Sequence, residues 1–158
     1  MQPIMEAPTL TTNEINFLIK RNTLANSIFL GTYPANKLPK LPINTCVIVN
    51  CCTADKLGIH WVSIFRRNNE IIEFFDSSGG YPGNYLEIKY PDCKLINYSC
   101  IRLQSLNSST CGWFAMYFVW SKAANIPFKE IINSFSPSNL AQNDKKVFAL
   151  SKKLFRIN

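Results

Sequence analysis

The sequence has one histidine and no C-x-x-C pair, which together exclude the usual zinc sites built from clustered cysteine and histidine. No metal is therefore expected. It also lacks any apolar run near the roughly 20 residues a membrane helix needs; the run that begins at Cys111 stops at Ser121-Lys122. The N-terminus has neither the basic head nor the apolar core of a secretory signal, so an intracellular chain without membrane contact is expected. That expectation governs the six cysteines, at 46, 51, 52, 93, 100 and 111. Cys46, Cys51, Cys52 and Cys100 read as small buried hydrophobes and not as a disulfide framework. Gly79-Gly80-Tyr81-Pro82-Gly83 lacks both the P-loop lysine and the G-x-G-x-x-G spacing, so it reads as a turn and not a phosphate cradle. Repeats and low-complexity tracts are absent too.

What remains is an ordinary globular composition over 158 residues, 47% of them hydrophobic, enough for a single domain, 1–158, with its own core and monomeric. Acidic residues are in deficit: the net charge is +7. The positives fall in pairs (Lys20-Arg21, Arg66-Arg67, Lys145-Lys146, Lys152-Lys153), which suits solvated faces and leaves non-specific contact with DNA as a function to consider.

Residues 1–10, with Pro3 and Pro8, read as a loose arm. Thr11-x-x-Glu14 is a capping box that opens an amphipathic helix over 12–21. Gly31 and Pro34 make the next stretch irregular. Thr45–Asn50 is a β-branched run without polar alternation, a strand buried on both faces. Two further strand-like runs flank Arg67-Asn68-Asn69 as a hairpin. Complementary pairing favours a three-residue loop with Asn68 or Asn69 left-handed, which sets Arg66 opposite Glu70, Ile64 opposite Ile72, Val62 opposite Phe74 and His60 opposite Asp76. Residues 94–102 read as another strand. Helices follow over 111–124, from Pro127, and over 139–154. The class is α+β: a mostly antiparallel central sheet packed against a buried central helix.

That helix begins at a cysteine. Thr110 is the expected N-cap and Cys111 the first helical residue, where unpaired N–H groups and the positive helix end stabilise a thiolate. Gly112 lets a substrate approach closely. A cysteine nucleophile needs a base, and the base needs a partner. His60 and Asp76, facing each other across the hairpin, supply both. Gln104, seven residues before Cys111, can join the Cys111 N–H in an oxyanion hole. Trp61 flanks the base, as a fence against water or as core packing.

These residues resemble those of the adenovirus-type cysteine endopeptidases, the adenain family, related to the proteases of SUMO and other ubiquitin-like proteins. The resemblance runs from Phe29-Leu30-Gly31-Thr32-Tyr33 through Val47–Asn50, Gly58-Ile59-His60-Trp61 and Phe74-Phe75-Asp76 to Gln104 and Asn107–Phe114. It implies His60 as general base, Asp76 as its orienting acid, Cys111 as nucleophile, and Gln104 with the Cys111 N–H as oxyanion hole. It implies a protease that processes viral precursor proteins during virion maturation, cleaving beside glycine, in the host nucleus and the virion. It further implies activation by DNA and by a short peptide bonded through a cysteine, whose position Cys93 matches. Aspartate stands where adenoviral enzymes mostly carry glutamate, as in the ubiquitin-like-protein proteases. Removal of SUMO-type modifiers is therefore the alternative activity, and a DNA-binding scaffold that retains the protease fold is another.

Overall fold

In the computed structural model, which describes residues 6–51 and 60–158, regular structure begins with helix α1 (Thr12–Lys20). Its start is set by local chemistry. Thr11 Oγ1 accepts from the Glu14 N–H at 3.2 Å, and the Glu14 carboxylate accepts from the Thr11 N–H at 3.1 Å, completing the expected capping box. Helix α2 (Thr23–Ile28), capped by Asn22, then runs straight into strand β1 (Phe29–Pro34). The sequence reads this region as irregular because of its two breakers. Both are absorbed by the edge of a sheet. Gly31 takes φ +139° where the register shifts, and Pro34 closes an edge strand, where its missing N–H is tolerated.

Strand β2 (Thr45–Asn50) lies between β1 and β3 (Trp61–Arg66), and its four middle residues are buried, as its unbroken apolar pattern requires. β3 pairs with β4 (Ile71–Phe75). After the short helix α3 (Tyr85–Lys89), β5 (Leu95–Tyr98) completes a five-stranded sheet in sequential order. The α+β class holds, but the sheet is mixed. β1–β2 and β4–β5 are parallel, whereas β2–β3 and β3–β4 are antiparallel. The 35–44 and 76–94 connections return the chain for parallel pairing, and β3 and β4 share a tight hairpin loop. β5 is also shorter than the strand expected over 94–102.

Helix α4 (Cys111–Ala123) is buried nearly all round, as its apolar sequence predicts. It packs on the sheet face that carries Cys46, Ile48, Trp61, Phe65 and Phe75, and α1, α2, α5 (Phe128–Asn133) and α6 (Leu140–Leu154) close around it. The opposite sheet face buries Val47, Val49, Val62, Ile64, Ile72 and Phe74 under Leu38, Leu41, Leu86 and Tyr90. Apolar contact alone does not fix where a helix sits along its axis. Two polar ties do so here. Ser63 Oγ donates to the Ala115 carbonyl at 2.9 Å, and Lys122 Nζ pairs with Glu73 Oε1 at 2.7 Å inside the protein. They anchor the helix on β3 and β4, and so set where its first residue emerges.

Residues 6–10 form neither helix nor strand, yet they are not loose. The Trp61 indole N–H donates to the Leu10 carbonyl at 2.9 Å, and that of Trp113 to the Pro8 carbonyl at 2.8 Å. Leu10 is 2% exposed and packs against Gly112, where an added Cβ would meet its Cδ1 at 3.2 Å. An apolar side chain that fills the space over a glycine holds the arm down.

Candidate active site

The hairpin that carries His60 and Asp76 departs from the expected register by two residues. Arg66 opposes Ile72, Phe65 opposes Glu73, and Ile64 opposes Phe74. The expected Arg66–Glu70 pair does not form. The Arg66 guanidinium donates to the carbonyls of Asn68 and Asn69 at 2.8 and 3.0 Å, and Glu70 pairs with Lys94 at 3.0 Å. Neither Asn68 nor Asn69 is left-handed. Instead Asn68 Oδ1 accepts the N–H groups of Glu70 and Ile71 at 2.9 and 2.8 Å, a side-chain-stapled turn that widens the loop. An exposed ion pair contributes too little to outweigh such a turn. Because strand side chains alternate with period two, a slip of two keeps every residue on its face. His60 and Asp76 therefore still meet.

They meet at the open end of the hairpin. The Cys51 N–H donates to the His60 carbonyl at 3.1 Å, extending the β2–β3 ladder by one step and fixing the His60 backbone. His60 Nε2 lies 2.7 Å from Asp76 Oδ1, and the Cys111 side chain acts on the imidazole as a second group that favours its charged form. With Nε2 facing the carboxylate, Nδ1 is the nitrogen left for the thiol. Burial opposes the charged ring, but the hydrogen bonds and charges of Asp76 and Cys111 outweigh it and raise the His60 pKa from 6.5 to about 10. Burial likewise works against the Asp76 carboxylate. His60, with the Ser78 and Gly80 N–H groups at 2.8 and 3.2 Å, more than offsets it and holds the carboxyl below its ordinary range. The result is a base biased toward imidazolium next to a thiol at the first residue of a helix.

The turn after β4 is thus more than a turn. Gly80 is there because a Cβ would lie 2.6 Å from Asp76 Oδ2. Ser77 reaches the other way: its carbonyl accepts the N–H groups of Leu103 and Gln104 at 2.8 and 3.0 Å, and its hydroxyl donates to Gln104 Oε1 at 2.7 Å. Gln104 Nε2 donates to the Ser108 carbonyl at 2.9 Å. A carbonyl can only accept, so this contact fixes which end of the amide is nitrogen. One amide N–H is used there, and a second remains for another acceptor.

Thr110 occupies the expected N-cap position of α4 but makes no cap hydrogen bond, and its backbone is helical instead of extended. Its hydroxyl donates instead to Asp144 Oδ1 at 2.7 Å. Trp61 points into the core under Gly112, its N–H committed to Leu10. Cys93 is a half-buried free thiol, its Sγ 4.0 Å from the Asn69 carbonyl at the hairpin tip, the end remote from His60 and Asp76. Burial raises its pKa. Cys46 is buried as expected, Cys51 is half-buried, and Cys100 is exposed, because the chain has left the sheet before reaching it. Cys52, Gly58 and Ile59 lie outside the described residues. A cavity of about 660 Å³ lies beside the 105–110 loop, between Glu6-Ala7 and the Asp144–Lys152 face of α6; none of His60, Asp76, Gln104 or Cys111 lines it.

Sequence reasoning missed Ser77, Gly80, Asn143 and Asp144. Asn143 left one signal: it sits four residues before buried Val147, on the apolar stripe of α6, where a solvated asparagine would not belong. Nothing in the sequence marks the other three.

No family model matches the chain. A stretch of 46 residues is 44% identical to uncharacterized protein V9 of Sputnik virophage, covering 29% of this chain and 25% of that protein. Among solved structures the fold is similar to the ASFV pS273R protease. One structure of it matches over 97% of this chain and 71% of its own, with TM-score 0.60 and 16% identity. A second matches over 72% and 45%, with TM-score 0.53 and 19% identity. The central domain of the uncharacterized Lpg1148 protein of Legionella pneumophila matches over 95% and 98%, with TM-score 0.51 and 12% identity. The chain thus has an α+β fold similar to that of the ASFV pS273R protease, and it spans about a quarter of the curated relative it matches.

Proposed function

We propose that this chain is a cysteine endopeptidase of viral type, similar to adenain, with Cys111 as nucleophile, His60 as general base and Asp76 as its orienting acid. One observation carries the reading: the single imidazole of the sequence is hydrogen-bonded to a half-buried carboxylate and is coupled to the thiol that starts a buried helix. The fold shared with a viral protease supports it. In this scheme the Cys111 proton resides on His60, and the thiolate attacks the scissile carbonyl. The Cys111 N–H and the second N–H of Gln104 donate to the tetrahedral oxyanion and stabilise its charge. His60 then passes its proton to the leaving amine as the C–N bond breaks, leaving a thioester. Water attacks the thioester, His60 takes up its proton, and the carboxylic acid and the Cys111 thiolate are released.

The substrates proposed are viral precursor proteins, cut beside glycine, with DNA and a short cysteine-bearing peptide as activators. The net charge of +7 favours the first activator. A panel of precursor-type peptides and SUMO-type conjugates, assayed with and without DNA, tests the whole scheme. Turnover of precursor-type peptides is expected, and Cys111→Ala should lower it by several orders of magnitude while the far-UV spectrum is unchanged. Cleavage of modifier conjugates alone would replace the substrate class. Full activity in the alanine variant would refute the mechanism.

A further inference from the structure

We infer that Asn143 and Asp144, adjacent on α6, form a clamp that positions the loop carrying Gln104; the inference rests on the protease reading above and deepens it. The 104–110 loop contains no helix or strand, and its internal backbone hydrogen bond, from the Ser108 N–H to the Ser105 carbonyl, is 3.3 Å long. Asp144 Oδ1 accepts the Thr110 hydroxyl at 2.7 Å and the Ser105 N–H at 3.4 Å, and Ser108 Oγ lies 3.3 Å from it while also facing Thr110 Oγ1 at 2.9 Å and the Ser105 carbonyl at 3.2 Å. Asn143 is 2% exposed. Its Nδ2 donates to the Leu103 carbonyl at 3.0 Å and to the Ser136 carbonyl at 2.6 Å, while its Oδ1 accepts the Ser136 N–H at 2.8 Å. Leu103 and Ser105 are the two neighbours of Gln104, so the helix grips the chain on both sides of it. From below, Ser77 grips Gln104 itself.

The chemistry suits the task. A carboxylate oxygen only accepts, and its charge strengthens each bond it receives, so one side chain can bind donors five residues apart. The same bond diverts the Thr110 hydroxyl from capping α4. Asp144 touches the loop at Ser105 and Thr110, and it is a positioning residue that acts through Gln104.

The test separates oxyanion support from the reactivity of the thiol. Iodoacetamide alkylates a thiolate by displacement at carbon and needs no oxyanion hole, whereas amide hydrolysis does. In the full chain, Asp144→Ala is expected to lower kcat about 10- to 100-fold through displacement of the loop. KM and the alkylation rate of Cys111, followed by mass spectrometry of its peptide, should stay within about twofold. Asp144→Asn keeps an acceptor at Oδ1 and should retain most of the activity. If Asp144→Ala does not fold, Ser108→Ala with Thr110→Val removes both hydroxyls that face Asp144 from the loop side and carries the same expectation. Unchanged kcat, alkylation that falls in step with kcat, or an asparagine variant as impaired as alanine would overturn the clamp. A wild-type chain that cleaves nothing in the peptide panel would overturn the protease reading and the clamp's role with it. An active wild type with an unaffected Asp144→Ala would overturn the clamp alone.

Discussion

Replacing Asp76 by asparagine removes a charge while keeping an oxygen for His60 and Ser78; the cost in geometry is confined to the weaker Gly80 N–H contact at 3.2 Å, which an amide NH2 cannot accept. The native ring titrates near 10 against an ordinary 6.5. That difference corresponds to about 5 kcal/mol in favour of the charged form, net of burial and shared between Asp76 and Cys111. Asp76→Asn should therefore bring the His60 pKa well down toward 6.5, and Asp76→Asn with Cys111→Ser further still, since burial then acts almost unopposed. The sequence contains a single histidine, so one imidazole proton resonance followed across pH reads the value without ambiguity. The sign also sets the stability profile. A raised histidine pKa stabilises the native state fully below pH 6.5, and that contribution is lost as pH rises through about 10. Denaturant midpoints of the wild type should fall over that window, and those of the variant should change much less. Turnover should drop by about 10²- to 10⁴-fold, as when a triad acid loses its charge. A resonance that still titrates near 10 in Asp76→Asn would refute the electrostatic account of this site.

Two further predictions concern residues that hold the site from outside. Gly80→Ala places a Cβ within 2.6 Å of Asp76 Oδ2; the carboxylate must shift, so the His60 resonance should move to lower pKa and stability should fall by about 1–3 kcal/mol. An unmoved resonance would show that the contact is relieved elsewhere. Leu10→Ala empties the space beside Gly112 and Trp61 and should cost about 2–4 kcal/mol in chemical denaturation; a loss below about 0.5 kcal/mol would mean the arm is loosely held after all.

Much of this protein is set by local sequence. The Thr11–Glu14 capping box, the β-branched run of β2, the all-apolar α4 and the proline-led start of α5 each carry their structure in neighbouring residues, because propensity, capping and periodicity act within a turn or two. The meeting of His60 and Asp76 was legible for a subtler reason. The expected register was wrong by two, but an odd loop of either length leaves both side chains on one face. Parity was decided by the sequence; register was not, since it turned on whether Arg66 bonds Glu70 or the loop carbonyls. What only the tertiary structure decided lies between distant segments. β1 becomes a strand because β2 offers an edge. The sheet is mixed because the 35–44 and 76–94 connections return the chain parallel, which strand patterning does not specify. The arm is pinned because two indole N–H groups need acceptors. Asp144 turns from a solvated helix charge into a clamp on a loop 34 to 39 residues away. None of these has a local signature, since a buried donor or acceptor takes whatever partner the packing brings to it.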